Sequence, residues 1–390
     1  MMLKKILIPF LFAAAITGCK HSSQIGATEN NKPVPVFQPD SVYASMRIPA
    51  LVMSKQGTLL AFTEARIGTS SDWADMDLLM RRSTDGGKTW EAPQVLAPRK
   101  KGQPTNNPTP IVGEDGTIHL LFARDYARAF YTQSKDDGLT WTEPKDITDV
   151  FDQFKSEYNW NVVAPGPGHG IQLKNGRLLA PVWLAKSATT PKRVHHPSCV
   201  VTVYSDDNGI TWKRGAIVAD SSDEVKNPNE SMAVQLNDGR VMLMMRNPGN
   251  PHRKSISYSA DGSSNWSRPV YNQDLFEIPC MASIVRVSEA KEGAGKNRIV
   301  FVNPDSEHIE KTPRRNLTAK LSYDEGKTFP VERVLNPGAS GYSDLAVGAD
   351  GTIYCLYETN NSAGKDFKYT LVLQTFNISW LTNGKDSLKK

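Results

Sequence analysis

Apolar residues in this chain gather in short runs, each behind a tight polar turn that ends in glycine. The turns are Ser54-Lys55-Gln56-Gly57, Gly113-Glu114-Asp115-Gly116, Leu173-Lys174-Asn175-Gly176, Leu236-Asn237-Asp238-Gly239 and Gly348-Ala349-Asp350-Gly351. The runs behind them are Leu59-Leu60-Ala61-Phe62, Leu120-Leu121-Phe122, Leu178-Leu179-Ala180, Met242-Leu243-Met244 and Ile353-Tyr354-Cys355-Leu356. Short runs bounded by turn residues predict β-hairpins. No long helical period interrupts them, and only Asp149 to Ser156 predicts a short helix.

A second pattern, Ser-x-Asp-x-Gly-x-Thr-aromatic, interleaves with the first. It occurs at Ser83 to Trp90, Ser134 to Trp141, Ser205 to Trp212 and Ser322 to Phe329, with a degenerate copy at Ser259 to Trp266. In these Asp boxes the carboxylate can bond N–H groups of its own turn, glycine permits a positive φ, and the aromatic ring packs beneath. The aspartates therefore read as structural. Paired in order, Gly57 goes with Asp85, Gly116 with Asp136, Gly176 with Asp207 and Gly239 with Asp261. Asp324 takes the hairpin around Ser283-Ile284-Val285 and Ile299-Val300-Phe301, and Gly351 opens a sixth unit without a box. Six units over about 350 residues leave roughly 58 for each, enough for a four-stranded sheet. The expectation is all-β: a single six-bladed β-propeller, closed by an N-terminal strand near residues 41–53 that completes the sixth blade. Innermost strands of such a ring line one central depression, where residues distant in sequence can meet.

Composition adds limits. Hydrophobic residues make up 39% and charged residues 22% of 390, enough to bury a sizeable core. The formal charge of +5 includes Lys4 and Lys5, and without them it falls to about +3. That is too mild and too evenly spread to argue for a nucleic-acid partner. Residues 1–19 read as a bacterial lipoprotein signal: Lys4 and Lys5, an apolar run from Ile6 to Ile16 too short to span a bilayer, then Thr17-Gly18-Cys19. An ordinary cleaved secretory signal is the alternative. Residues 20–39 read as a flexible tether reaching at most roughly 70 Å, and residues 40–390 as the propeller. The body is thus expected outside the cytoplasm, facing the periplasm or the cell surface. A lipid on Cys19 would hold it without spanning, with the outer membrane as the expected anchor. Cys199, Cys280 and Cys355 remain, an odd number without metal-like spacing, which predicts buried small residues and no disulfide or zinc.

The chemistry lies in scattered residues. Tyr342, in Gly341-Tyr342-Ser343-Asp344-Leu345, offers a phenolic nucleophile. Arg47 in Met46-Arg47-Ile48-Pro49, Arg246 in Met245-Arg246-Asn247 and Arg314 in Arg314-Arg315-Asn316 offer a carboxylate clamp. Together they suggest cleavage of the glycosidic bond of an acidic keto-sugar. Further motifs are Glu64-Ala65-Arg66, Asp72, Asn107-Pro108-Thr109-Pro110, Gly166-Pro167-Gly168-His169-Gly170 and Asn229-Glu230-Ser231. With these motifs, in this order and with the Asp boxes, residues 41–380 resemble the bacterial exo-α-sialidases (neuraminidases) of the retaining sialidase superfamily.

The resemblance implies roles. It assigns the carboxylate clamp of a sialic acid to Arg47, Arg246 and Arg314. Arg314 is preferred over Arg315 because the family pattern is Arg-x-Asn. Tyr342 would be the nucleophile, since a carboxylate would meet the substrate's own charge at the anomeric carbon. Glu230 would be its base. Asp72 matches the acid/base on a mobile loop, with Asp75 as the real alternative and Asp77 more suited to capping or packing. Arg66 would contact a ring hydroxyl or position the loop. His169 reads as part of a turn, and Trp73 and Trp160 as candidate rim residues. The implied reaction is hydrolysis of terminal α-linked sialic acid from glycans with retention, without a cofactor or metal. The same machinery could act on Kdn, Kdo or another 3-deoxy-ulosonic acid. A non-catalytic glycan-binding propeller is a third reading, which would have no need of the Tyr-Glu-Asp set.

Overall fold

A computed structural model describes residues 32–188, 194–221, 224–291, 295–309, 313–360 and 368–388. The leader, Cys19 and tether residues 20–31 lie outside them. Six sheets follow one another around a ring. In blades 1 to 5 the chain runs outward strand by strand, starting on the axis with Ser45–Met53, Thr105–Val112, Val162–Pro165, Ser231–Gln235 and Ser283–Ser288. Ser343–Val347 is the innermost strand of blade 6. Each predicted hairpin joins the first two strands of its blade, and its closing glycine has φ between 81° and 92° where the turn demands it, at Gly57, Gly116, Gly176, Gly239 and Gly351.

The Asp boxes join the third and fourth strands. Asp85 Oδ1 accepts from Lys88 N and Thr89 N, both at 3.0 Å, and Asp85 Oδ2 accepts from Thr89 Oγ1 at 2.6 Å. Asp136, Asp207 and Asp324 repeat the arrangement, and Asp261 substitutes Ser263 and Ser264 as donors. Cys199, Cys280 and Cys355 are buried free thiols. The short helix spans Thr148–Asp152, and the rest of the predicted stretch to Ser156 is turn. No helix among the described residues is long and apolar enough to cross a membrane.

Ring closure differs from the expectation. Ser45–Met53, buried along nearly its whole length, is the innermost strand of blade 1. The sixth blade is completed instead by Val34–Phe37, paired with Thr370–Phe376 as Val34↔Leu373 and Phe37↔Leu371. The sequence pattern places these residues in the tether, which gives way to strand before residue 39. The physical reason is visible in the short segment: Val36 and Phe37 are buried, while Pro35, which lacks an N–H, suits an edge strand.

One carboxylate ties the axis together. Asp344, fully buried, accepts from Leu51 N of blade 1, Ser283 Oγ of blade 5 and its own neighbour Leu345 N, at 2.8, 2.8 and 2.9 Å. His169 Nδ1, just past the innermost strand of blade 3, lies 2.8 Å from it. A cavity of about 370 Å³ opens below this hub, walled by Val52, Ile171, Val234, Ile284 and Val347 at the strands' far ends.

Candidate active site

The opposite ends of the innermost strands carry the chemistry. In blade 1 the register slips between Arg47↔Glu64 and Ala50↔Phe62, an extra residue that forms a bulge. Ile48 sits there at φ 58°, a conformation a β-branched side chain adopts only when its surroundings enforce it. Glu358, on the second strand of blade 6, supplies that force. Its Oε1 accepts from Ile48 N at 2.9 Å and Arg47 Nε at 2.8 Å, and its Oε2 accepts from Tyr342 N at 3.2 Å. One fully buried carboxylate thus fixes Arg47 and the backbone of Tyr342 together.

Tyr342 sits beneath three guanidinium groups. The Cζ atoms of Arg47, Arg246 and Arg314 lie 5.4, 5.9 and 5.4 Å from its ring centroid. Its hydroxyl donates to Glu230 Oε1 at 2.6 Å and accepts from Arg246 Nη1 at 2.7 Å. Arg246 also pairs with the other Glu230 oxygen. Burial, reinforced by the Glu230 charge and opposed by Arg246 and Arg314, pushes the phenol well above its usual range. The hydroxyl is therefore neutral, with the Glu230 carboxyl group already in hydrogen-bond contact. Arg246 Nε is buried without a partner, and the one hydrogen bond described for the Arg314 guanidinium is from Nη2 to Pro279 O at 2.5 Å, so donors remain for a ligand. Arg315 turns outward, exposed, toward Pro337 O. The asparagine of Arg-x-Asn, Asn316, takes φ 63°, which asparagine tolerates, and its Nδ2 donates to Asp305 O at 2.7 Å.

Asp72 lies on the loop between the second and third strands of blade 1, its side chain 44% exposed. Arg66 Nη1 donates to it at 2.8 Å, and Arg47 Nη1 is 4.0 Å away. Burial alone would raise its pKa, but Arg66 and Arg47 outweigh that and hold it at about 2. Arg66 has no exposed side-chain surface. Four of its five N–H donors go to Glu64 Oε2, Ser70 O and Asp72, an arrangement suited to positioning the loop. Asp77 is buried and spent on Tyr43 Oη and Arg99, while Asp75 accepts from Gly102 N through one oxygen.

An aromatic wall stands beside Asp72. Ring centroids of Trp73, Tyr126 and Trp183 lie 5.3, 4.8 and 5.1 Å from His195. Burial lowers the pKa of His195 against the charges of Asp72 and Glu230. Trp160 is core: its Nε1 donates to Phe151 O at 2.8 Å, away from the rim. Sequence reasoning passed over Glu358, Tyr126, Trp183 and His195. Glu358 left one trace, a charge ending the otherwise apolar run Ile353-Tyr354-Cys355-Leu356-Tyr357. The three aromatic-wall residues left none.

Comparison with known proteins gives matches over most of the chain. Residues 57–355 match the BNR repeat-like domain. A sialidase of Micromonospora viridifaciens is 29% identical over 411 aligned residues, covering 96% of this chain and 59% of that protein. A sialidase of Bacteroides fragilis is 29% identical over 358, covering 82% and 61%. The chain thus spans about three-fifths of the length of these two relatives. Among solved structures, the Hadza microbial sialidase Hz136 superposes with a TM-score of 0.73 at 25% identity, covering 90% of this chain and 69% of that one.

Proposed function

The chain belongs to the BNR repeat-like domain family, and from that premise we propose that it is a retaining exo-α-sialidase. The observation that carries the proposal is the Tyr342 hydroxyl, bonded to both Glu230 and Arg246 under three converging guanidiniums. A binding module has no use for a buried tyrosine coupled to a base. The names of the relatives support the substrate class.

In this reading Arg47, Arg246 and Arg314 hold the sugar carboxylate, with geometry suited to forked, charge-assisted hydrogen bonds. Tyr342 Oη attacks the anomeric carbon as its proton passes to Glu230. The glycosidic bond breaks, and the leaving oxygen takes a proton from Asp72. Asp72, now a carboxylate, then takes a proton from water as that water attacks the anomeric carbon. The tyrosyl bond breaks, Tyr342 regains its proton from Glu230, and two displacements leave the configuration retained.

The aromatic wall supports an N-acylated sugar over a deaminated one. Rings of Trp73, Tyr126 and Trp183 suit an acyl methyl, while Trp183 Nε1 and His195 Nε2, buried without partners, suit its polar atoms. The test is hydrolysis of a fluorogenic α-sialoside beside the corresponding Kdn glycoside. Wild type should release the fluorophore from the first more readily, and Tyr342→Phe should lose about a thousandfold or more in kcat. Undiminished release by a folded Tyr342→Phe variant would sink the mechanism; preference for the Kdn glycoside would sink the N-acyl assignment.

A further inference from the structure

Behind the clamp lies a charge pair that touches neither nucleophile nor acid. Lys254, on the third strand of blade 4, and Glu277, just past the fourth, form an ion pair of 2.8 Å, with 1% and 0% of their side chains exposed. A pair this deep is costly to desolvate, and apolar residues of similar volume often stabilise a core as well or better. Its partners suggest what it does. Glu277 Oε2 accepts from Asn247 N, the residue after Arg246, at 3.1 Å. Glu277 Oε1 accepts from Cys280 N at 3.1 Å, and Lys254 Nζ donates to Cys280 O at 2.6 Å. The peptide groups on both sides of Cys280 are therefore strapped down. The first of these groups carries Pro279 O, the carbonyl that receives Arg314 Nη2.

We propose that Lys254 and Glu277 are positioning residues that set Arg246 and Arg314 in a common frame for a substrate carboxylate. Arg47 has its own fixture in Glu358, on the other side of Tyr342. Arg246 and Arg314 come from different blades, and the crossover Glu277-Ile278-Pro279-Cys280 between those blades is what the pair grips. Without it, the stem of Arg246 and the acceptor of Arg314 can move independently. The proposal rests on the clamp reading above, because it is the carboxylate that needs both arginines at once.

The test is the paired substitution Lys254→Met with Glu277→Leu, which removes both charges without orphaning either. KM for the sialoside, and the dissociation constant of a 2,3-unsaturated sialic acid analogue, should both rise at least about tenfold. The value of kcat should change less than about threefold, the pattern of lost ground-state binding. If the double variant does not fold, Glu277→Asp, one methylene shorter with its charge kept, should show the same split. A folded variant with unchanged KM and inhibitor affinity overturns the proposal, as does one that loses kcat alone. If wild type neither cleaves nor binds sialosides, the functional reading fails by itself. A crystal structure of the variant then decides: a displaced Arg314 guanidinium supports the positioning role, and an undisturbed one overturns it.

Discussion

At Asp72 the free site holds a carboxylate, whereas departure of a glycosidic oxygen calls for a carboxylic acid. The surrounding charges suggest how it gains the proton. Four guanidiniums, on Arg47, Arg66, Arg246 and Arg314, meet four carboxylates, on Glu64, Asp72, Glu230 and Glu358. A substrate carboxylate entering the clamp adds a negative charge that nothing in the site balances. The guanidinium field that holds Asp72 at about 2 is then partly cancelled. Asp72 is also the most solvent-exposed of the four carboxylates, so water can reach it. Its pKa should therefore rise on ligand binding, and binding should take up a proton. The sign follows: affinity for a carboxylate analogue strengthens as pH falls from neutral through the raised value, and Asp72→Asn abolishes the trend. Carbon-13 NMR of the Asp72 carboxyl checks this directly. A midpoint that stays near 2 with the clamp filled would count against it.

At the scale of single elements, the clamp depends on strand irregularities held by a neighbour. The bulge at Ile48 in blade 1 has a counterpart in blade 2, where Asn107, also at φ 58°, also precedes proline. Glu64 Oε1 accepts from Asn107 N at 2.8 Å much as Glu358 accepts from Ile48 N. Each buried glutamate thus secures the bulge of an adjacent blade. Gly341 is part of the same fit, because a Cβ there would lie 2.4 Å from Glu358 Oε2. That oxygen cannot swing aside cheaply, since the same carboxylate holds Arg47, Ile48 and Tyr342. Gly341→Ala is expected to cost about 1–3 kcal/mol of stability, the usual toll of overpacking, and to raise KM at least about tenfold. Wild-type kcat/KM in that variant would show that Glu358 is not the fixture described. Such partnerships explain what sequence reading reaches and what it misses. Arg47, Tyr342 and Arg314 stand in short local motifs that can be read. Glu358, some 310 residues from Ile48, has no local signature, because its partners are defined only once the ring closes.

For the molecule as a whole, closure is the step that local pattern could not supply. Five hairpins and five Asp boxes were legible because turn chemistry is written in adjacent residues. The pairing of Val34–Phe37 with Thr370–Phe376 joins the two ends of the chain, and a four-residue strand has too little pattern to announce itself. Its contribution is nonetheless specific. Val36 and Phe37 pack with Tyr354, Leu371 and Leu373, and Arg81 of blade 1 donates to Val36 O at 2.7 Å. The register places Val34 toward the Gly348–Gly351 turn, so the chain enters blade 6 from the end remote from Tyr342. Blade 6 carries Tyr342, Asp344 and Glu358, the nucleophile candidate, the axial hub and the fixture of the clamp. A chain starting at Gln38 should therefore melt at a lower temperature than one starting at Lys32. Burying Val36 and Phe37 is worth about 1.5–3 kcal/mol each, and their loss also exposes Thr370–Phe376 as an unpaired edge prone to association. Hydrogen exchange should show the loss confined first to blade 6, with activity falling before the other blades open. Equal melting temperatures for the two chains would mean that the ring closes without its outer strand, and that Asp344 on the axis holds the ends together by itself.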